Sequence, residues 1–182
     1  MLTERHVVVL VTGISAAGKS TISDLLARRF DRGVHVNGDV FRRMVVAGRS
    51  EMTSDASPEA LRQLRVRYAL GAATADAYFN AGFSVVVQDV VIGPMLQDYV
   101  EMIESRPLRV VTLAPRRAVV AVREAARAKT AYAPGFDGIA ALDDALRRDT
   151  PRIGLWLDTS EQTPQETVDE IIARAWDEAS TA

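Results

Sequence analysis

The stretch Gly13-Ile-Ser-Ala-Ala-Gly-Lys-Ser20 matches the pattern G-x-x-x-x-G-K-[ST] at every fixed position. The apolar run at 6–12 before it is typical of a buried strand, and the segment at 21–30 after it has the apolar spacing of an amphipathic helix. A strand, a glycine-rich turn and a helix in this order form a loop whose backbone amides surround phosphate groups. The alternative is a chance glycine-rich turn, but the flanking strand and helix favour a phosphate-binding loop.

Each fixed position of this pattern has a chemical role. The two glycines let the backbone turn sharply, and the start of the next helix adds partial positive charge. Lys19 can reach the terminal phosphates of a nucleotide, and the Ser20 hydroxyl can ligate magnesium. Lysine occurs only at positions 19 and 129, so its presence where the pattern requires it is informative. The loop residues predicted to bind the nucleotide are Gly13, Ser15, Ala16, Ala17, Gly18, Lys19, Ser20 and Thr21.

Length and composition indicate one globular domain over residues 1–182, with 48% hydrophobic and 25% charged residues. No apolar run is long enough for a membrane span, and the amino-terminal apolar run is interpreted as a strand, not as a signal peptide. The chain has no cysteine, which excludes disulfides and thiolate metal sites. These features together predict a cytoplasmic protein. A net charge of −2 argues against nucleic acid as the main partner.

Strands and helices alternate along the whole chain, which predicts an α/β fold: a parallel sheet with helices on both faces, in three layers. The predicted strands are 6–12, 33–37, 83–89, 108–114 and 152–158. The predicted helices are 21–30, 40–47, 58–80, 93–105, 115–127, 139–148 and 164–179. Ligands of such sheets bind beyond the carboxyl ends of the strands. The chemistry should therefore come from 13–20, 37–42, 89–94, 115–135 and 158–163.

Asp39 follows the second strand, where a carboxylate could accept a proton from a hydroxyl that attacks the γ-phosphate. The alternative is a helix amino-cap, because a helical stretch begins at the next residue. Arg42 lies one turn further and could steer an anionic acceptor, although a solvated helix face also explains it. Asp39 and Arg42 are thus candidates for binding the acceptor.

Asp89 ends an apolar strand, a position at which aspartate orients magnesium beside a phosphate loop. It is predicted to bind metal together with Ser20 and to contact substrate; a capping or turn role is the alternative. Arg123 and Arg127 lie four residues apart on one helical face, and their guanidinium groups could stack on adenine or neutralise phosphoryl charge. A solvated surface is the alternative for both arginines.

Four of these segments together resemble the chloramphenicol phosphotransferase-like group of P-loop kinases: 13–20, Asp39, 85–90 and 123–127. The group is similar to adenylate, gluconate and polynucleotide kinases. The resemblance implies a five-stranded parallel sheet, ATP with Mg²⁺, Asp39 as general base, and arginines of a small lid, at about 116–138, that closes over the phosphates. The segments expected to form the acceptor pocket, 40–65 and 90–100, do not match closely enough to carry over the acceptor.

The sequence therefore predicts transfer of the γ-phosphoryl group of ATP to a hydroxyl of a small molecule, such as an antibiotic or another secondary metabolite. Its predicted catalytic residues are Lys19, Asp39 and Arg127. A polynucleotide 5′-hydroxyl kinase and a nucleotide-binding module without an acceptor are the alternatives. Assembly into a homo-oligomer is left open.

Overall fold

The computed structural model describes residues 6–53, 56–126 and 138–178. Within them, five strands form one parallel sheet: β1 Val8–Thr12, β2 Gly33–Asn37, β3 Ser84–Gln88, β4 Leu108–Leu113 and β5 Leu155–Leu157. The helices are α1 Lys19–Ala27, α2 Asp39–Met44, α3 Pro58–Asn80, α4 Met95–Met102, α5 Arg117–Ala125, α6 Gly138–Arg148 and α7 Pro164–Glu178. Every predicted strand and helix has its counterpart, which confirms the predicted α/β fold.

The sheet has the strand order β2-β3-β1-β4-β5, so β1 is central and pairs with β3 and β4. All five residues of β1 and all five of β3 are buried. A strand covered on both faces needs apolar side chains at successive positions, which explains the continuous valine-rich runs.

Alternate residues of these strands enter two separate apolar cores, one on each face of the sheet. Val9 and Val86 belong to the core that also contains buried residues of α1 and α7. Val8, Val85 and Val87 belong to the core that contains residues of α3 and α4. Because successive side chains of a strand point to opposite faces, this division also determines which face each residue after the strand approaches.

Several element ends follow from local hydrogen bonds. Ser57 caps α3, since its Oγ accepts from the amide of Ala60 at 3.1 Å. The predicted capping box at the start of α7 is present: the Glu166 carboxylate accepts from the Thr163 amide at 2.8 Å, and Thr163 Oγ1 accepts from the Glu166 amide at 3.2 Å.

Several elements are shorter than predicted, and for two of them the structure shows a local cause. The helix expected to reach 105 ends at Met102, because the Asp76 carboxylate accepts hydrogen bonds from the amides of Glu104 and Ser105. The strand expected at 152–158 contains only 155–157. Before it, Gly154 has φ +69°, and a Cβ there would lie 2.2 Å from the Val110 carbonyl oxygen. The chain therefore bends sharply before it joins the sheet.

The fold brings the segments after β1, β2 and β3 to one edge of the sheet. Thr12, the last residue of β1, donates from Oγ1 to the Val91 carbonyl at 2.7 Å and accepts from the Val91 amide at 3.0 Å. This pair of bonds ties the segment after β3 to the end of β1. Across 6–53, 56–126 and 138–178, no helix combines the length and the apolar character that a membrane span requires.

Candidate active site

The loop between β1 and α1 has the backbone conformation that its two glycines allow. Gly13 has φ +143° and Gly18 has φ +97°, both values that residues with a side chain rarely adopt. A Cβ on Gly13 would lie 2.5 Å from the Leu113 carbonyl oxygen, so the loop passes directly against the end of β4. Ala16 adopts φ +60° without being glycine. This tight turn leads directly into α1 at Lys19.

Lys19 is folded back over its own loop. Its side chain is largely buried, with 8% exposure, and Nζ donates to the Ile14 carbonyl oxygen at 2.8 Å. Above the loop lies a cavity of about 230 Å³. Its lining comprises Ser15, Ala16, Gly18, Lys19, Ser20, Thr21 and Arg123. The two other loop residues predicted to bind nucleotide, Gly13 and Ala17, do not line this cavity; Ala17 is buried in the core beneath it.

Arg123 reaches this cavity from α5. Its NH2 group donates to the Thr159 carbonyl at 3.0 Å, which links α5 to the segment after β5. The structure therefore brings Arg123 to the phosphate loop, although the two are more than a hundred residues apart in sequence. Residues 127–137 of the predicted lid, Arg127 among them, lie outside the described residues, so the role of Arg127 stays a prediction.

The residue of β3 that meets Ser20 is Gln88. Its Nε2 donates to Ser20 Oγ at 3.3 Å, and its side chain lies on the α1 face of the sheet, as Val86 does. Sequence reasoning missed Gln88, because attention went to the charged residue beside it. Strand alternation was the signal that could have identified it: two residues beyond Val86, position 88 returns to the face that carries the phosphate loop.

Asp89 lies on the opposite face, against α3. Its Oδ2 accepts from Arg67 Nε at 2.6 Å, and its Oδ1 accepts from Arg67 NH2 and, at 2.6 Å, from the Val90 amide. Only 1% of the Asp89 side chain is exposed, against 15% for Arg67. A bidentate pair of this kind fixes the guanidinium plane. The sequence analysis did not single out Arg67, since nothing in the pattern of α3 distinguishes it from the other arginines there.

Gly38 packs on this ion pair. A Cβ at position 38 would lie 1.9 Å from Asp89 Oδ2, so only glycine leaves room for the carboxylate. The backbone just before Asp39 therefore rests directly on the Asp89 side chain. Asp39, Arg67 and Asp89 come from three separate elements and meet at this point.

Asp39 is the first residue of α2 and does not cap the helix, since the cap position is Gly38. Its Oδ1 accepts from Arg42 Nε at 2.8 Å, and its Oδ2 lies 3.2 Å from Arg43 Nε. Arg42 in turn donates from NH1 to both carboxylate oxygens of Glu51, at 2.9 and 3.0 Å. The Asp39 side chain remains 41% exposed, so a ligand can approach it.

The surroundings keep Asp39 ionised. Partial burial raises its pKa, but the hydrogen bond from Arg42 and the charges of Arg42, Arg67 and Arg43 outweigh burial and lower the pKa below 3.8. At neutral pH the group is therefore a carboxylate that can accept a proton. The effect of the Arg67 charge also shows that the ion pair on α3 lies within electrostatic reach of Asp39.

Of the two predicted magnesium ligands, Ser20 suits the role better than Asp89. Ser20 is exposed at the cavity, and a hydroxyl oxygen is a ligand that a hard cation accepts. The Asp89 carboxylate is enclosed by Arg67, the Val90 amide and Gly38, so both oxygens are already in use. In the described segments, no group of three or more His, Asp or Glu side chains could hold a metal ion by itself.

Residues 8–151 match the family model AAA_33, an AAA domain. The chain belongs to this family. The match extends from the start of β1 to just beyond α6 and so contains the phosphate loop, Asp39, Arg67 and Asp89. No curated protein sequence matches the chain.

Several solved structures share the fold of this AAA_33 chain, and some of them are named as kinases. A sugar kinase from Janibacter sp. HTCC2649 is 20% identical with a TM-score of 0.69. The alignment covers 96% of this chain and 98% of the sugar kinase chain. The Deinococcus radiodurans tunicamycin resistance protein is 12% identical with a TM-score of 0.65, over 98% and 100% of the two chains. Shikimate kinase from Aquifex aeolicus vf5 is 16% identical with a TM-score of 0.63, over 91% and 94%. These likenesses confirm the P-loop kinase-like fold that the resemblance implied.

Proposed function

We propose that this AAA_33 protein is an ATP-dependent phosphotransferase that moves the γ-phosphoryl group of ATP to a hydroxyl of a small molecule. The observation that carries the proposal is the pairing of two sites at one edge of the sheet. The loop at 13–20 follows β1, and Asp39 follows β2, with β3 between them. Neighbouring strands lie about 4.8 Å apart, so the ends of β1 and β2 are separated by about 10 Å, which leaves room for a triphosphate and an acceptor side by side.

The phosphate loop would hold the triphosphate mainly through its backbone. Its amides and the amino end of α1 present partial positive charge, which a phosphate group needs. Lys19 already lies over the loop, and its Nζ would exchange the Ile14 carbonyl for phosphate oxygens. Arg123 would contact the nucleotide from the other side of the cavity. Magnesium bound with ATP would neutralise phosphate charge, and Ser20 is the residue placed to hold it.

Asp39 would act on the acceptor. As a carboxylate beside two guanidinium groups, it can accept the hydroxyl proton as the oxygen attacks the γ-phosphorus. Arg42 and Arg43 hold its side chain in one orientation, so the proton acceptor is positioned before the substrate arrives. The name of the first similar structure mentions a sugar, and that of another mentions resistance to tunicamycin; both are consistent with hydroxyl acceptors for this chain.

A screen of hydroxyl compounds with γ-labelled ATP tests this proposal. The panel should contain sugars, polyols, hydroxy acids, antibiotics and a 5′-hydroxyl oligonucleotide, with wild type, Lys19→Ala and Asp39→Asn in parallel. We expect label transfer to at least one small molecule by wild type and loss of transfer by both variants. Transfer only to the oligonucleotide would instead favour a polynucleotide kinase. ATP binding without transfer to any compound would favour a binding module.

A further inference from the structure

The Arg67–Asp89 pair has a geometry that ATP binding does not require. Both of its hydrogen bonds leave from the Nε and NH2 edge of the guanidinium group. The NH1 group makes no hydrogen bond to any atom of 6–53, 56–126 or 138–178. A buried carboxylate therefore fixes one edge of Arg67, while the NH1 donors are not used by the described residues.

The Arg67–Asp89 pair lies beside the acceptor half of the proposed site. Gly38 lies on the Asp89 carboxylate, and the next residue is Asp39, whose pKa the Arg67 charge lowers. Tyr68, the neighbour of Arg67 on α3, donates from its hydroxyl to the Val90 carbonyl at 2.7 Å and so fastens this turn of the helix to the segment after β3. Asp89 thus fixes the Arg67 side chain, and the Tyr68 hydrogen bond fixes the helix turn that carries it.

The charges around Asp39 favour an anionic ligand. The ion pairs of Asp39 and Glu51, together with the neighbouring Arg67–Asp89 pair, contain four arginines and three carboxylates, so cations exceed anions by one. The arginines are Arg42, Arg43, Arg49 and Arg67, and the carboxylates are Asp39, Glu51 and Asp89. Asp39 and Glu51 are already shared by arginines of α2 and of the segment after it. An oxyanion that bound NH1 of Arg67 would therefore displace no ion pair among the described residues.

We propose that Asp89 is a positioning residue that fixes Arg67, not a ligand of magnesium, and that Arg67 selects acceptors bearing a carboxylate or phosphate group. The inference rests on the proposed function, whose acceptor site it specifies. It replaces the metal role predicted for Asp89 by an indirect role in acceptor binding. Gln88, which contacts Ser20, is then the β3 residue on the metal side of the sheet.

The first test concerns metal and needs no acceptor. Mn²⁺ binding in the presence of ATP can be measured by electron paramagnetic resonance for wild type, Ser20→Ala and Asp89→Asn. We expect Ser20→Ala to weaken Mn²⁺ binding and Asp89→Asn to leave it within about twofold of wild type. Equal weakening by both variants would overturn the positioning role of Asp89.

The second test compares acceptors that differ only in charge. Two sets serve as probes: glycerol, glycerate and glycerol 3-phosphate, and glucose, gluconate and glucose 6-phosphate. We expect wild type to prefer an anionic member over its neutral partner by about 10- to 100-fold in kcat/KM, the usual contribution of a charged hydrogen bond. The member of the set that is preferred distinguishes a carboxylate from a phosphate.

The variants for this test must keep the fold. Removing Arg67 alone leaves a buried carboxylate without a cation, so the double variant Arg67→Gln with Asp89→Asn supplies a neutral pair. We expect it to bind ATP normally and to lose the charge preference through a higher KM for the anionic acceptor. The control Arg62→Gln changes an exposed arginine on the same helix, paired with Glu59, and should keep the preference.

The single variant Asp89→Asn completes the comparison. If Asp89 acts only through Arg67, Asp89→Asn should raise the KM of the anionic acceptor by no more than the double variant does. Phosphoryl transfer with an unchanged charge preference in the double variant would overturn this inference alone. Failure to bind ATP, or transfer to no compound, would overturn the proposed function as well.

Discussion

The two halves of the site are built differently. The phosphate half is one continuous segment, 13–20, whose shape comes from two glycines and the start of α1. The acceptor half combines two ion-pair groups from separate parts of the chain: Asp39 with Arg42 and Arg43, and Arg67 with Asp89. Backbone amides keep their positions whatever the neighbouring side chains are, whereas a charge network depends on each member. The phosphate half should therefore tolerate changes elsewhere in the chain, and the acceptor half should not.

Loss of the lysine gives the largest effect that we expect. Lys19→Ala removes the only side-chain cation of the loop and should lower kcat by about 10³- to 10⁵-fold, the range seen when a charge that stabilises phosphoryl transfer is removed. Steady-state transfer of labelled phosphate measures this effect. Arg28→Gln, an exposed substitution on the same helix, should stay at the wild-type rate. Wild-type turnover in Lys19→Ala would show that the loop is not where the phosphates bind.

A neutral residue in place of the candidate base tests the acceptor half alone. Asp39→Asn keeps the size of the side chain but cannot take a proton at neutral pH, so kcat should fall by about 10²- to 10⁴-fold. The affinity for ATP, measured by calorimetry, should change little, because Asp39 belongs to the other half. If the variant loses ATP affinity and keeps kcat, the division between the halves is wrong.

Two glycine substitutions compare the halves directly. In Gly13→Ala the new Cβ would meet the Leu113 carbonyl at 2.5 Å, and in Gly38→Ala it would meet the Asp89 carboxylate at 1.9 Å. We expect each to lower the free energy of unfolding by about 1–3 kcal/mol, the usual range for overpacking. Denaturant unfolding measures this loss, and each variant serves as the control for the other. Gly13→Ala should weaken ATP binding, whereas Gly38→Ala should raise the acceptor KM and leave ATP binding intact.

The smallest expected effect is a change in pH dependence. Arg42→Gln removes the hydrogen bond and the charge that lower the pKa of Asp39, so that pKa should rise. Because Asp39 acts as a carboxylate, kcat/KM falls as pH drops through this pKa, and the fall should begin at higher pH in the variant. Rate profiles from about pH 4 to about pH 8 would reveal the shift. If the fall of kcat/KM at low pH begins at the same pH in the variant, a group other than Asp39 controls that fall.

The face of the sheet on which Asp89 lies could not be predicted from its position in the sequence. An aspartate at the end of an apolar strand beside a phosphate loop is a reasonable magnesium ligand, and position along the chain alone could not distinguish the two faces of the sheet. The structure places Gln88 on the α1 face and Asp89 on the α3 face, which follows from strand alternation once the cores are known. The metal role was predicted from the charge of Asp89 alone, without the face of the sheet on which its side chain lies.

Arg67 could not have been found from the sequence. The chain is rich in arginine, and the long helix α3 carries three, at positions 62, 65 and 67. Its importance comes from a buried partner that lies 22 residues away in sequence. Such a pair depends on how α3 packs against β3, which local propensity does not determine.

The sequence by itself determined the order of strands and helices, the five-stranded α/β class and the phosphate loop, because all of these depend on contiguous residues and on short-range periodicity. Only the tertiary structure decided that Arg123 meets the loop, that Gln88 meets Ser20, and that Asp89 binds Arg67. The physical reason is the separation along the chain over which each kind of interaction acts. Backbone conformation is set by a residue and its near neighbours, whereas the partner of a side-chain charge is set by which elements the hydrophobic cores bring together.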